Sequence, residues 1–254
     1  MKKFAVNPNL KKVVFIFAWL HRFRKIWSLS RKYKKNPDQA LLADRHEYML
    51  KVSKKLLKLY NVDLEIVGFD NLPNNGGILL TPNHKSNMDP FCLIAALQKQ
   101  TEAYGDTHKI PNFVAKEELN KKFIVRHGMR ILDTFTIDRS KPREALRSVI
   151  EFGAFVKEQK TYGVIFPEGT RVSGEELGEF KAGAFVTAQK NYLSIIPVAI
   201  SNSEQAFNSK RKGRLTVTVS FLKPIKASTL LNQEPKGVAE KVRKMIAEEL
   251  KQYA

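Results

Sequence analysis

His84 and Asp89 stand five positions apart in the run Thr81-Pro82-Asn83-His84-Lys85-Ser86-Asn87-Met88-Asp89. A histidine with a carboxylate nearby can act as a general base. The carboxylate fixes the imidazole tautomer and stabilises the imidazolium that forms when a proton is taken. His21, His46, His108 and His127 have no acid at that spacing. Read alone, the pair fits a hydrogen-bonded loop histidine equally well.

Two further segments carry charge where a strand should end. Thr136-Ile137-Asp138-Arg139-Ser140-Lys141-Pro142-Arg143 sets three cations within five positions. Such a cluster can clamp a phosphate, arginine doing so bidentately, or simply lie in solvent at a helix start. Phe166-Pro167-Glu168-Gly169-Thr170-Arg171 runs from an apolar strand into a polar turn, and Phe180-Lys181-Ala182-Gly183 follows. Lys181 falls at an expected helix start, where backbone N–H groups also favour an anion. Other chemistries are poorly served. The chain has no Gly-x-Ser-x-Gly elbow, no Gly-x-x-x-x-Gly-Lys-Ser/Thr loop and no His-Glu-x-x-His. Its single cysteine, Cys92, sits in an apolar stretch and reads as core. One cysteine excludes an internal disulfide framework and any multi-thiolate zinc site.

The elements that must position these groups alternate. Period-two or continuous apolar runs predict strands at 62–66, 78–81, 112–114, 131–137, 163–166, 194–200 and 215–221. Helical patterns lie near 89–99, 116–127, 143–158, 180–191 and 236–252. Alternation of this kind predicts an α/β fold, a mostly parallel mixed sheet flanked by helices. In such folds reacting groups occupy loops just past the strand ends.

The first sixty residues differ from this body. They hold 16 Lys/Arg against Asp38, Asp44 and Glu47, a net +13 of the chain's +19. The apolar run Val13–Leu20 would rise only about 12 Å as a helix, far short of a hydrocarbon core of roughly 30 Å. Arg22, Arg24 and Lys25 follow it, which argues against a transmembrane span and against a signal-peptide cleavage site. Phe15, Trp19, Phe23, Ile26 and Trp27 recur at spacings of three and four beside basic residues, the pattern of an interfacial helix of about 25 residues. Asn36-Pro37-Asp38 ends it, with Asp38 a candidate N-cap for a second amphipathic helix carrying Leu41, Leu42, Tyr48, Met49, Val52, Leu56 and Leu59. The expected organisation is a basic two-helix membrane-binding module, 1–60, followed by an α/β domain, 61–254. The alternative is that both apolar stripes are internal packing faces and the lysines a solvated face. No helix-turn-helix, zinc-finger or RNA-binding signature is present, so an anionic membrane surface, and not nucleic acid, is the expected partner.

Taken in order, Asn83-His84 through Asp89, Ile137-Asp138-Arg139, Phe166 to Arg171 and Ile196-Pro197-Val198 resemble the four blocks of the glycerolipid acyltransferases, bacterial lysophosphatidate acyltransferases above all. The resemblance spans about half the chain. It implies that His84, held by Asp89, takes the proton of an acceptor hydroxyl, which then attacks the thioester of acyl-CoA or acyl carrier protein. It also implies that Arg139, Arg171 and Lys181 bind the acceptor's phosphate while Glu168, Gly169 and Thr170 shape its pocket. No cofactor and no metal are expected. The product would be phosphatidate, made by an enzyme peripheral to the cytoplasmic face of the cell membrane. Glycerol 3-phosphate or another lysolipid is the alternative acceptor, and a non-catalytic basic binding protein the alternative class. The second block departs from the family pattern, with Asp133 and Thr136 standing where glycine and an aromatic residue are usual. In the third, Val172 replaces a common serine.

Overall fold

A computed structural model describes residues 5–100, 108–174 and 176–253. Three helices come first: α1 (Pro8–Val14), α2 (Ile16–Lys35) and α3 (Leu42–Leu59). Then follow β1 (Val62–Val67), β2 (Ile78–Pro82), α4 (Asp89–Ala96), β3 (Pro111–Lys116), α5 (Phe123–Ile131), β4 (Phe135–Ile137) and α6 (Pro142–Glu158). The chain closes with β5 (Tyr162–Val164), α7 (Gly183–Asn191), β6 (Ser194–Ile200), β7 (Leu215–Phe221), α8 (Ala227–Leu230) and α9 (Pro235–Leu250).

The strands form one sheet in the order β1-β7-β6-β2-β5-β3-β4. Every neighbouring pair is parallel except β6 with β7. The α/β fold expected from the alternation is therefore present. Strands β6, β2, β5, β3 and β4 all point one way, so the loops after them open on a single edge of the sheet. That edge receives the His84, Arg139 and Arg171 segments.

Alternation along each strand builds two cores. On β2 and β6, Leu80, Ile196, Val198 and Ile200 face one layer with α3 and α4, while Leu79, Ile195 and Ala199 face the other with α6, α7 and α9. Leu79, Leu80, Ile195 and Ile196 are completely closed to solvent. Each such side chain contributes about 1.5–3 kcal/mol by leaving water.

Several boundaries differ from the sequence reading. The segment 131–137 is not one strand: α5 ends at Ile131, Asp133 takes a positive φ of 47°, and only Phe135–Ile137 pairs with β3. The helix expected over 116–127 starts at Phe123, because Glu117–Lys121 forms a 3-10 turn. The helix expected from residue 180 starts at Gly183. Asp38 lies inside a short 3-10 turn, and α3 begins after Leu41 with no side-chain cap. The first amphipathic segment is two helices joined at Phe15.

The apolar stripes also divide. On α2, Ile26 is buried and Trp19 packs beside it, but Phe15, Phe17, Phe23 and Trp27 remain exposed. On α3, Met49, Leu50, Val52 and Leu57 belong to the main core. That helix therefore turns its apolar face toward the sheet. Among the described residues, no helix is long and apolar enough to cross a membrane.

Candidate active site

β2 delivers its chain to the sheet edge, and Asn83 closes the strand with a side chain that imitates a ladder partner. Its amide accepts from the Ile200 N–H at 2.7 Å and donates to the Ile200 carbonyl at 3.0 Å. His84 comes next. Asp89 opens α4, where the helix dipole favours negative charge.

The pair predicted from spacing meets directly. His84 Nδ1 lies 2.8 Å from Asp89 Oδ2, and the same oxygen accepts the backbone N–H groups of Lys85 and Ser86, each at 2.8 Å. Asp89 is fully buried, while His84 keeps 18% of its side chain exposed. Two backbone donors hold the carboxylate and the carboxylate holds the ring, leaving Nε2 as the ring nitrogen that Asp89 does not engage. The ring of Phe166 lies against the imidazole, centroids 4.1 Å apart and planes 30° from parallel.

Phe166 opens the neighbouring loop after β5. Gly169 N–H donates to the Phe166 carbonyl at 2.9 Å, closing a turn around Pro167 and Glu168. Gly169 has a φ of +69°, where a side chain would be strained, and the Lys181 side chain lies 3.6 Å from where a Cβ would sit. The Lys181 N–H also donates to the Pro167 carbonyl at 2.9 Å. The two loops are stitched by the Val172 N–H, which donates to the His84 carbonyl at 3.0 Å. Thr170, Arg171 and Lys181 are exposed on this turn.

Glu168 is different. It is buried, with neither carboxylate oxygen hydrogen-bonded among the described residues. Burial pushes its carboxyl up to about 7, against the pull of the nearby His84 backbone and Lys85. Asp89 adds to the upward push and Arg243 opposes it. Glu168 thus sits beneath the turn, not on its exposed rim.

Arg139 lies elsewhere on the same edge. It follows β4, three strands from β2 in the sheet order, which is about 14 Å at ordinary strand spacing. Burial lowers its guanidinium from its usual range, with Glu118 working the other way. The structure therefore brings His84, Asp89 and Glu168 together and Lys181 onto Gly169, with Arg139 farther along. No cluster of three or more potential metal ligands occurs among the described residues.

Some contributors had no assigned role in the sequence reading. Lys85 and Ser86 orient Asp89 through main-chain N–H groups, so their side-chain types carry no signal. Lys85 Nζ also reaches the Gly174 carbonyl at 2.7 Å. Arg243 of α9 holds the Leu177 and Gly178 carbonyls at 3.0 Å and so braces the loop after Arg171. Nothing around residue 243 in the sequence points to that contact.

Comparison with known proteins identifies close resemblances. Residues 63–201 match the family described as Acyltransferase. A probable 1-acyl-sn-glycerol-3-phosphate acyltransferase of Mycoplasma pneumoniae is 28% identical over 235 residues, covering 88% of this chain and 85% of that protein. Its counterpart of the same description in Mycoplasma genitalium is 30% identical, covering 77% and 76%. Among solved structures, the 1-acyl-sn-glycerophosphate acyltransferase PlsC of Thermotoga maritima shares the fold, with a TM-score of 0.70 at 22% identity over 96% of each chain.

Proposed function

The chain belongs to the acyltransferase family, and from that membership we infer its reaction. It acylates lysophosphatidate to phosphatidate, a 1-acylglycerol-3-phosphate O-acyltransferase activity. The observation that carries the chemistry is the 2.8 Å contact between His84 Nδ1 and a buried Asp89.

In this reading His84 Nε2 takes the proton of the acceptor's free hydroxyl as its oxygen attacks the thioester carbonyl of the donor. The new C–O ester bond forms, the C–S bond breaks, and the departing thiolate recovers a proton from the imidazolium. Asp89 stabilises that imidazolium without moving a proton itself. Acyl-CoA and acyl carrier protein both supply the thioester this step needs. Arg171 and Lys181 bind the acceptor's phosphate beside Gly169 and Thr170, with Arg139 reaching from farther along the edge. Glu168 supports the turn from below.

The acceptor is a membrane lipid, and α1 with the outer face of α2 is the surface that meets the bilayer. Support comes from Val13, Val14, Phe15 and Phe17, all at least half exposed, among lysines and arginines. This basic surface holds the enzyme peripherally on an anionic cytoplasmic leaflet. The test of the acceptor is to present labelled acyl-CoA, or acyl carrier protein, with lysophosphatidate, with other lysophospholipids and with glycerol 3-phosphate. Phosphatidate is the expected product. Faster transfer to glycerol 3-phosphate would move the reading to the alternative acceptor.

A further inference from the structure

Between α2 and α5 runs an open groove of about 460 Å³, lined by Trp27, Arg31 and Lys34 on one side and Phe123, Arg126 and Arg130 on the other. We propose that this groove is a phospholipid headgroup site, taking the phosphate of an anionic membrane phospholipid. The inference rests on the membrane reading of α1 and α2, and adds to it a specific seat next to that surface.

Charge is the first argument. The lining holds four cations and no carboxylate. Among the described residues none of the four makes an ion pair. Like charges gathered along one seam repel one another. An anion between them removes that repulsion.

His127 supplies the second argument. It lines the groove at 5% exposure, and its Nε2 has no hydrogen-bond partner. Its Nδ1 lies 2.9 Å from Ser30 Oγ, and Arg130 donates to the same oxygen at 3.3 Å. Ser30 thus engages Nδ1 and Arg130 together, and Nε2 is the ring nitrogen left over. Burial, with Arg126 and Arg130 beside it, lowers His127 from the ordinary imidazole range. A buried polar ring nitrogen thus stands among four cations without a hydrogen-bond partner.

The rim supplies the third. Trp27 and Phe123 remain 37% and 53% exposed, and the Arg31 guanidinium stands 5.1 Å from the Trp27 ring centre. Exposed aromatics beside cations suit the depth at which headgroup meets acyl chain. Trp27 continues the exposed stripe of Ile16, Leu20 and Phe23 along α2, so the groove opens where the bilayer is expected.

The test is binding of the full chain to phosphatidylglycerol and to phosphatidylcholine vesicles. Three proteins are compared: wild type, Arg126→Gln/Arg130→Gln, and a charge-matched control, Lys241→Gln/Lys244→Gln on α9. The groove pair should lose about 25-fold in affinity for phosphatidylglycerol vesicles and the control under about threefold. Equal losses would make the effect one of net charge and overturn the groove while leaving the membrane reading intact. Failure of the wild type to bind either vesicle would overturn both. Should the first pair fail to fold, Arg31→Gln/Lys34→Gln, at exposed positions, carries the same comparison. Duplex DNA binding that the groove pair abolishes while vesicle binding persists would assign the groove to nucleic acid and overturn the proposal.

Discussion

Arg45 of α3 donates to Asp133 at 2.9 Å, and both side chains are largely closed to solvent, at 7% and 14% exposure. Tyr33 of α2 donates to the other carboxylate oxygen at 2.6 Å, and the guanidinium lies 3.8 Å from the Tyr33 ring centre. Asp133 therefore ties α2 and α3 to the strand leading to Arg139. Its φ of 47° also accounts for the glycine usual at this place in the family. The backbone conformation is the glycine one, and the side chain has acquired a job of its own.

Removing that carboxylate strands a buried guanidinium. Asp133→Ala should cost about 3 kcal/mol, while Asp133→Gly should be milder by about 1 kcal/mol because glycine relaxes the positive φ. Denaturant unfolding of the two variants checks the order. Equal or reversed losses would deny the strain at the positive φ, and losses under about 1 kcal/mol in both variants would deny the pair its anchoring role.

Asp89→Asn keeps the shape of the side chain but removes its charge. The imidazole loses its tautomer control and its counter-charge, so kcat should fall by about 10³–10⁴ with the acceptor KM little changed. Steady-state kinetics with varied lysophosphatidate reads both. A fall confined to KM would place Asp89 in binding instead.

Glu168 gives a pH signature. Its carboxyl stands at about 7 in the folded chain against an ordinary 4.5, with burial the leading cause. Between those values the folded chain keeps a proton that the unfolded chain has released, so stability falls as pH rises through the window. Below it both states are protonated and the penalty vanishes; above it the penalty is constant. Stability of Glu168→Gln relative to wild type should therefore climb from pH 4.5 to 7, by a few kcal/mol in order of magnitude. A flat difference across that range would mean the burial is relieved in solution.

The proposed phosphate contacts predict a gradient along the sheet edge. Arg171→Ala and Lys181→Ala, at the turn beside His84, should each raise the acceptor KM about tenfold or more, as for loss of a charge-assisted hydrogen bond. Arg139→Ala, three strands away, should raise it less. A dominant effect at Arg139 would reverse the assignment of the acceptor's position.

Sequence legibility tracked how each element is stabilised. β2 and β6 could be read as apolar runs, since their own side chains fill both cores, and β7 as an alternating strand that turns Val217, Val219 and Phe221 into one of them. The His84–Asp89 pair was visible because five positions span one loop and one helix start. The break between α5 and β4 was hidden. Apolar residues continue through it, and only the positive φ at Asp133, fixed by partners 88 and 100 positions away, interrupts the pattern. Amphipathicity marked α3 as having a buried face without saying against what. Met49, Leu50 and Val52 face the protein core, and that follows from tertiary packing alone.

The most direct test of the account is acyl transfer to lysophosphatidate in anionic liposomes, with wild type and His84→Ala run side by side and matched in folding. The wild type should release phosphatidate and the variant essentially none, because the imidazole that takes the hydroxyl's proton is gone. Phosphatidate formed by His84→Ala at the wild-type rate would contradict the mechanism at its centre.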